Sequence, residues 1–481
     1  MADEQWDLVV VGGGAAGTRP ARVAGQLGFK TALIEQDRLG GSCSWLACVP
    51  SKTLLQAAET YWHLQHGPGS GIKLSGGTID PSGALEWVRE VVNHLGRETS
   101  PQTMAEKGVQ VIRGTGTFED EHTVRVGDRT IAGRRIVLAT GSRPALPEID
   151  GLEEAGYLTN ETLFDLPEPP RSMLIVGGGP VGVEMSQAFN RLGTDVTVFE
   201  HGDRILGHDD AELAQILSEH LTEEGVRLVL NAKVTRVERG EDGLRTVTAM
   251  VDGAEQTFTG AELLIATGRE VVVDRLHLDR AGVRGDSGGV KVNDRLQTDN
   301  PDIYAAGDVL GRWQFTHIAN IEGRLTARNA LLGADEPMRY DAAGWCTFTE
   351  PALASVGINE AQAAEQGIEY ELYRITPGMA DRARIEGRAE GAVKIIGEPG
   401  GGRILGAQIL AGRAGDIIQE FTAAVSHGVP ARDLANDVHM YPTLVVGHYA
   451  GGQMKWEQFR KDPERLAEIR DQYGFAGRSS S

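Results

Sequence analysis

Two segments of this 481-residue chain follow one pattern of apolar and polar positions. Each opens with a β-branched apolar run, passes through a glycine-rich turn into a helical stretch, and closes on a second apolar run ending in an acid. The first is Asp7–Glu35 (DLVVVGGGAAG…KTALIE) and the second is Ser172–Glu200 (SMLIVGGGPVGVE…DVTVFE). Strand, tight turn, helix, strand is the βαβ unit of a parallel sheet. Two copies indicate a duplicated nucleotide-binding module, not a short-period solenoid. Each copy is followed by a similar terminal strand, Ile136–Gly141 (IVLATG) and Leu263–Gly268 (LLIATG). The pattern predicts an α/β protein with two doubly wound, Rossmann-type dinucleotide-binding domains.

Between the first unit and its terminal strand lies a helical insertion, about residues 52–108. Pro144, Pro147, Pro167, Pro169 and Pro170 cluster at the join to the second unit, as expected of a linker region. From about Asp341 the pattern changes. Leu353–Gly357, Ala392–Ile396 and Ile404–Leu410 read as strands and Ala414–His427 as an amphipathic helix, giving an α+β third domain. A polar helical tail, Trp456–Tyr473, ends in Arg-Ser-Ser-Ser, which is expected to be disordered. The expected domains are residues 1–149 continued by 273–340, residues 150–272, and residues 341–465, with 466–481 as the partly disordered tail.

Chemistry enters with the glycines. Gly12, Gly14 and Gly17 form G-x-G-x-x-G directly after a strand. The first permits the tight turn, the second lets a diphosphate approach the backbone, and the third lets the helix pack close so that its N-terminal N–H groups meet the phosphates. Glu35 lies where a carboxylate bonds a ribose hydroxyl. Gly177, Gly179, Gly182 and Glu200 repeat the set at the same spacing. A carboxylate at Glu200 accepts from a free 2′-hydroxyl and repels a 2′-phosphate, which favours NADH over NADPH, while nearby Arg204 works the other way. Pro20 falls inside the helix after the first turn and is expected to perturb it.

Composition narrows the partners. A net charge of −21 and a pI near 5.1 argue against nucleic acid, which needs a basic surface. The first apolar run is too short for a signal peptide, and no stretch approaches a membrane span of ~20 apolar residues. A cytoplasmic protein is expected, with no membrane partner. Three cysteines are too few for a disulfide framework in a chain of this size, so the close pair Cys43 and Cys48 reads as catalytic or metal-binding. Cys346, alone in an apparent strand, reads as a core residue.

The stretch Gly40-Gly41-Ser42-Cys43-Ser44-Trp45-Leu46-Ala47-Cys48-Val49-Pro50-Ser51-Lys52 begins a few residues beyond Glu35. With it, the chain resembles the pyridine nucleotide–disulfide oxidoreductases, the group of dihydrolipoamide dehydrogenase, glutathione reductase and mercuric reductase, whose motif is GG-T-C-x4-C-x-P-[ST]-K. The resemblance runs from about Asp7 to about Thr443 and includes Thr298–Val309 (TDNPDIYAAGDV), where Asp308 matches a ligand of the FAD ribityl chain. It implies FAD on the first dinucleotide domain, NAD on the second, and a C-terminal interface domain that makes a homodimer. Hydride passes from the nicotinamide to FAD and on to a Cys43–Cys48 disulfide. Cys48 is then the thiolate facing the flavin and Cys43 the thiol that attacks substrate, with Lys52 paired to Glu184 near the flavin. The candidate FAD residues are Gly12, Gly14, Gly17, Glu35, Gly41, Ser42, Lys52, Gly116, Thr140, Gly141, Asp308, Phe315, Thr316 and His317. The candidate NAD residues are Gly177, Gly179, Val181, Gly182, Glu184, Glu200, Val234 and Gly268.

One segment departs from the family pattern. Disulfide reductases of this group carry H-x-H-P-T-x-x-E, whose second His and Glu serve the exchange cysteine of the other subunit as an acid–base dyad. Here the segment reads His439-Met440-Tyr441-Pro442-Thr443-Leu444-Val445-Val446, so Tyr441 replaces the His and Val446 the Glu. A thiol leaving group needs a proton, which His supplies near neutral pH, whereas Tyr with a pKa of ~10 is a poor base. His439 and His448 are possible stand-ins. Mercuric reductases also dispense with this His but add a C-terminal vicinal cysteine pair, which this sequence lacks. The tail with Trp456 and Phe459 reads as a dimer-stabilising extension, or as lining for a modified cleft. The leading expectation is an NADH-preferring reductase of a thiol/disulfide substrate. The alternatives are reduction of a metal ion or quinone, and a flavin-bearing redox sensor without turnover.

Overall fold

The computed structural model describes residues 4–66, 76–445 and 462–473. Two compact units divide the chain. The first takes in most residues up to Leu206 and Leu221–Tyr340; the second takes in Gly207–His220 and the chain from Asp341.

The first unit holds two parallel sheets, one for each repeat. In the larger, Glu4–Val11 is paired with Thr31–Glu35 on one side and Arg129–Leu138 on the other, all in parallel. Val109–Arg113 extends one side, Ile303–Ala305 pairs with Arg129–Leu138, and Thr123–Val126 with Thr117–Phe118 forms an antiparallel edge. Val9 and Val11 face one hydrophobic core while Leu8 and Val10 face the other. Burial on both faces is why this strand reads as an unbroken apolar run. The chain leaves Glu4–Val11 toward neighbours on both sides, so a switch point lies at its C-terminal end, where doubly wound sheets bind ligands.

The second sheet orders Arg227–Val229, Asp195–Phe199, Ser172–Val176 and Glu262–Ile265, again parallel. An antiparallel trio, Ala232–Arg239, Arg245–Val251 and Ala254–Gly260, accompanies it. The two expected terminal strands stop sooner than their composition suggests, at Leu138 and Ile265. Gly141 and Gly268 sit beyond them at φ +75° and +116°, a backbone no strand can hold. The insertion is helical, with Cys48–His66 and Ala84–Gly96.

Pro20 does not break its helix, which runs from Ala15 to Gln26. Proline removes only the N–H that would bond the Ala16 carbonyl. Gly323, on the helix Thr316–Leu332, packs against that carbonyl so closely that a β-carbon there would lie 2.2 Å from the oxygen. The freed carbonyl is thus covered by a neighbouring helix that only glycine lets approach.

The second unit is a five-stranded antiparallel sheet ordered Trp345–Thr347, Ala352–Gly357, Ile404–Ala411, Ala392–Gly397 and Glu371–Ile375. The helix Ala414–His427 covers it, with Ile417, Ile418 and Phe421 in the core. Cys346 packs at the edge of this core, as expected. Lys394 is buried in the sheet and ion-paired with Asp210, Glu212 and Glu360. Among the described residues, no helix is long and apolar enough to cross a membrane.

Candidate functional site

Cys43 and Cys48 lie on two helices that meet at a break. Gly41–Trp45 is a single turn and Cys48 begins the 19-residue helix Cys48–His66. Both residues are free thiols, hydrogen-bonded to each other. The Thr316 hydroxyl lies 3.3 Å from Cys48 Sγ. The hydrogen bond from Cys43 brings the Cys48 pKa down to about 6, helped by Thr316 and by the Lys52 cation against the opposing effect of burial. The Cys43 thiol is held up by the same bond and by burial. Of the pair, Cys48 is the thiol that ionises first.

Lys52, one turn further along the helix, donates to both oxygens of Glu184 at 2.8 and 3.0 Å. Glu184 is buried on the helix Pro180–Arg191, so the pair ties the cysteine helix to the glycine turn of the second repeat.

The glycine turns have the form a diphosphate needs. β-Carbons at Gly12 and Gly17 would lie 2.2 and 1.8 Å from backbone oxygens, and those at Gly177 and Gly182 2.4 and 1.9 Å. By contrast, the space beside Gly179 is open, and Gly14 meets only the Cα of Gly41 at 3.8 Å. The helices that start there, at Ala15 and Pro180, have no side-chain cap, whereas Ser100 and Asn359 cap their helices fully. Uncapped N–H groups over an open floor suit an anion.

Each acid is latched to its turn. Glu35 accepts from the Gly13 and Asp37 amides at 2.6 and 2.7 Å, and Glu200 from Gly178 and Gly202 at 2.7 and 2.8 Å. His201 Nδ1 lies 2.8 Å from Glu200.

The remaining candidates spread around these turns. Asp308 follows Gly307 and accepts from Ser142 Oγ at 2.6 Å. Thr140 donates to Val272 O at 2.6 Å. Phe315 precedes the helix of Thr316 and lies near the His317 ring. Gly116 packs against Val11 and Val124 beside the first sheet. Val181 is exposed at the start of its helix, whereas the Val234 side chain belongs to the core of the second sheet.

In the second unit the Tyr441 hydroxyl donates to Asp381 Oδ2 at 2.8 Å. His439 Nε2 meets Glu420 Oε1 at 2.5 Å and its Nδ1 meets Asp437 O at 3.0 Å. Two acceptors, one a carboxylate, favour the imidazolium and raise the His439 pKa against burial, which lowers it. Asp381, Asp437, His439 and Tyr441 line a cavity of about 260 Å³ with Met440, Pro442 and Thr443. No sequence signal marks Glu420 or Asp381 as partners of these side chains; the Asp381–Gly387 stretch (DRARIEG) is similar to the third domain of mercuric-reductase-like members, too loosely to assign Asp381 a role. Val446, His448, Trp456 and Phe459 lie outside the described residues. No cluster of three or more His, Cys, Asp or Glu side chains fit for a metal occurs among the described residues.

Two dinucleotide cradles flanking a polarised thiol pair define a flavin-linked dithiol oxidoreductase. Residues 6–323 match the family described as pyridine nucleotide-disulphide oxidoreductase, and residues 344–448 match its dimerisation domain. The chain belongs to this family: it is an FAD- and NAD(P)H-dependent oxidoreductase that moves electrons between the nicotinamide, FAD and a cysteine disulfide. It is 36% identical over 455 residues to a mercuric reductase of Streptomyces lividans, covering 92% of this chain and 95% of that one. It is 34% identical over 445 residues to dihydrolipoyl dehydrogenase of Bacillus subtilis, covering 91% and 94%. Among solved structures it resembles the Cu(II) complex of the HOCl-induced flavoprotein disulfide reductase RclA from Escherichia coli, with a TM-score of 0.81 at 29% identity, covering 93% and 98%.

Proposed function

We propose that this enzyme draws electrons from NADH and delivers them, through Cys43 and Cys48, to a thiophilic metal ion. The observation that carries the reading is the state of Tyr441. It stands where disulfide reductases place their proton-donating His, yet its own proton is committed to the Asp381 carboxylate. A thiolate leaving group needs a proton and a metal cation does not. The mercuric reductases among the relatives and the Cu(II) bound to RclA support the same class of acceptor.

In this reading residues 1–149 and 273–340 hold FAD and residues 150–272 hold the nicotinamide dinucleotide. Bound FAD supplies hydride acceptance and passes two electrons to the cysteine pair. Lys52, fixed by Glu184, holds positive charge beside the Cys48 thiolate, and Thr316 orients its sulfur. Cys43 meets the cation. As the thiols close to a disulfide they lose two electrons, the cation or cations gain them, and the Cys43 proton leaves to water. Glu200 favours NADH, because a carboxylate latched at the end of this repeat would accept from a free ribose 2′-hydroxyl and repel a 2′-phosphate. Residues 341–465 pair two subunits. A thiol/disulfide acceptor is the second reading, favoured by the intact Cys43–Cys48 pair.

Anaerobic reduction with NADH, followed by Hg(II), Cu(II), lipoamide, glutathione disulfide or a quinone, tests the proposal. Reoxidation by a metal ion, faster than by any disulfide, is expected. Reoxidation by a disulfide alone overturns it. The substitutions Tyr441→His with Val446→Glu should then add disulfide turnover to the metal activity.

A further inference from the structure

Leu46 lies at the break between the two cysteine helices. Its amide bonds back to Ser42 O, closing the first helix. Its carbonyl would be bonded, in a continuous helix, by the amide of residue 50, and residue 50 is Pro50, which has no N–H. The chain therefore orphans the carbonyl midway between its two thiols. Asn160 Nδ2 takes it, donating to Leu46 O at 3.1 Å.

Asn160 comes from the nucleotide-binding repeat. It follows Leu158, which bridges Leu264 at the edge of the second sheet, and Thr159 and Thr162 brace its turn. The strand of Leu264 leads to Arg269, which returns to the same place. Arg269 donates to Ser142 Oγ at 2.7 Å and Ser142 O at 2.8 Å, and reaches Asn160 Oδ1 at 3.5 Å. Ser142 in turn donates to Asp308. One polar chain thus joins the edge of the second sheet, the proposed flavin contact Asp308, and the carbonyl between Cys43 and Cys48.

We propose that Asn160 is a positioning residue for the redox pair: by satisfying the carbonyl that Pro50 leaves bare, it fixes the break that starts a helix at Cys48 and holds the two sulfurs in register. The role concerns the dithiol itself and holds whichever acceptor the enzyme serves.

The test uses the FAD-loaded enzyme reduced anaerobically with NADH. Asn160→Leu keeps the branched shape of the side chain but removes the donor, whereas Asn160→Gln is one methylene longer but keeps the amide donor. The long-wavelength thiolate-to-flavin band is measured against pH, with flavin content and melting temperature alongside. Asn160→Leu is expected to weaken the band and raise its pH midpoint by ~0.5–1 unit, about the weight of one hydrogen bond, with flavin content unchanged. Asn160→Gln should stay nearer wild type. A wild-type band and midpoint in Asn160→Leu overturn the proposal. If that variant does not retain flavin, Asn160→Ala against Asn160→Gln decides: a band weakened only with Ala supports the role, and equal bands overturn it.

Discussion

At the scale of single residues, the site is a problem of keeping one sulfur charged and its neighbour protonated. Cys48 achieves this with a thiol donor, a hydroxyl and a lysine, against burial that works the other way. With Cys48 as the proposed thiolate partner of bound flavin, the charge-transfer band should grow as pH rises through about 6 and fade below it. Lys52→Met removes the cation and should raise that midpoint by ~0.5–1 unit, read by the same absorbance titration. Cys43, Cys48, Lys52 and Glu184 are legible in the sequence because the motif fixes their types and spacing. Asn160, Asp381 and Glu420 are not. Asn160 and Asp381 are single polar residues in aperiodic stretches, Glu420 is one polar position of an amphipathic helix, and the partner of each is chosen by the fold: Leu46, for Asn160, is 114 positions away.

At the scale of elements, the repeated strand–turn–helix units are legible because both-face burial and glycine turns leave strong signals. Their ends are less so. Ala-Thr-Gly continues the composition of a strand, while the backbone at Gly141 and Gly268 does not. The helix through Pro20 shows the same limit. Whether a proline breaks a helix depends on what meets the freed carbonyl, here Gly323 on a helix three hundred positions on. Gly323→Ala should therefore be costly although alanine is the better helix former. A loss of roughly 1–3 kcal/mol is expected from overpacking, with a lower melting temperature in a thermal scan.

At the scale of the whole molecule, the second unit carries charge where a core is expected. Asp209 accepts from Trp345 Nε1 at 2.8 Å and Ser355 Oγ at 3.1 Å, and burial pushes its pKa up to about 6. An acid with a raised folded pKa binds protons more tightly folded than unfolded. Its contribution to stability is full below about 4 and is lost as pH rises through about 6. Asn keeps both contacts through its carbonyl oxygen and carries no charge. Asp209→Asn should thus stabilise by roughly 1–3 kcal/mol at pH 7–8, and the gain should vanish near pH 4 in denaturant titrations. The domain class was readable from the change of pattern near Asp341. This buried ionic knot was not, because Asp209, Asp210 and Lys394 look like surface residues in sequence.

The two latched acids carry a consequence for selectivity. Glu35 and Glu200 hold their glycine turns through corresponding pairs of backbone amides, Gly13 with Asp37 and Gly178 with Gly202, at nearly the same distances. An adenosine diphosphate fragment would meet two docks alike in their latched acid and glycine turn, though only the second has a His beside its acid. On the proposed cofactor assignment, most of the discrimination between the two dinucleotides would then fall to their other ends, the isoalloxazine and the nicotinamide.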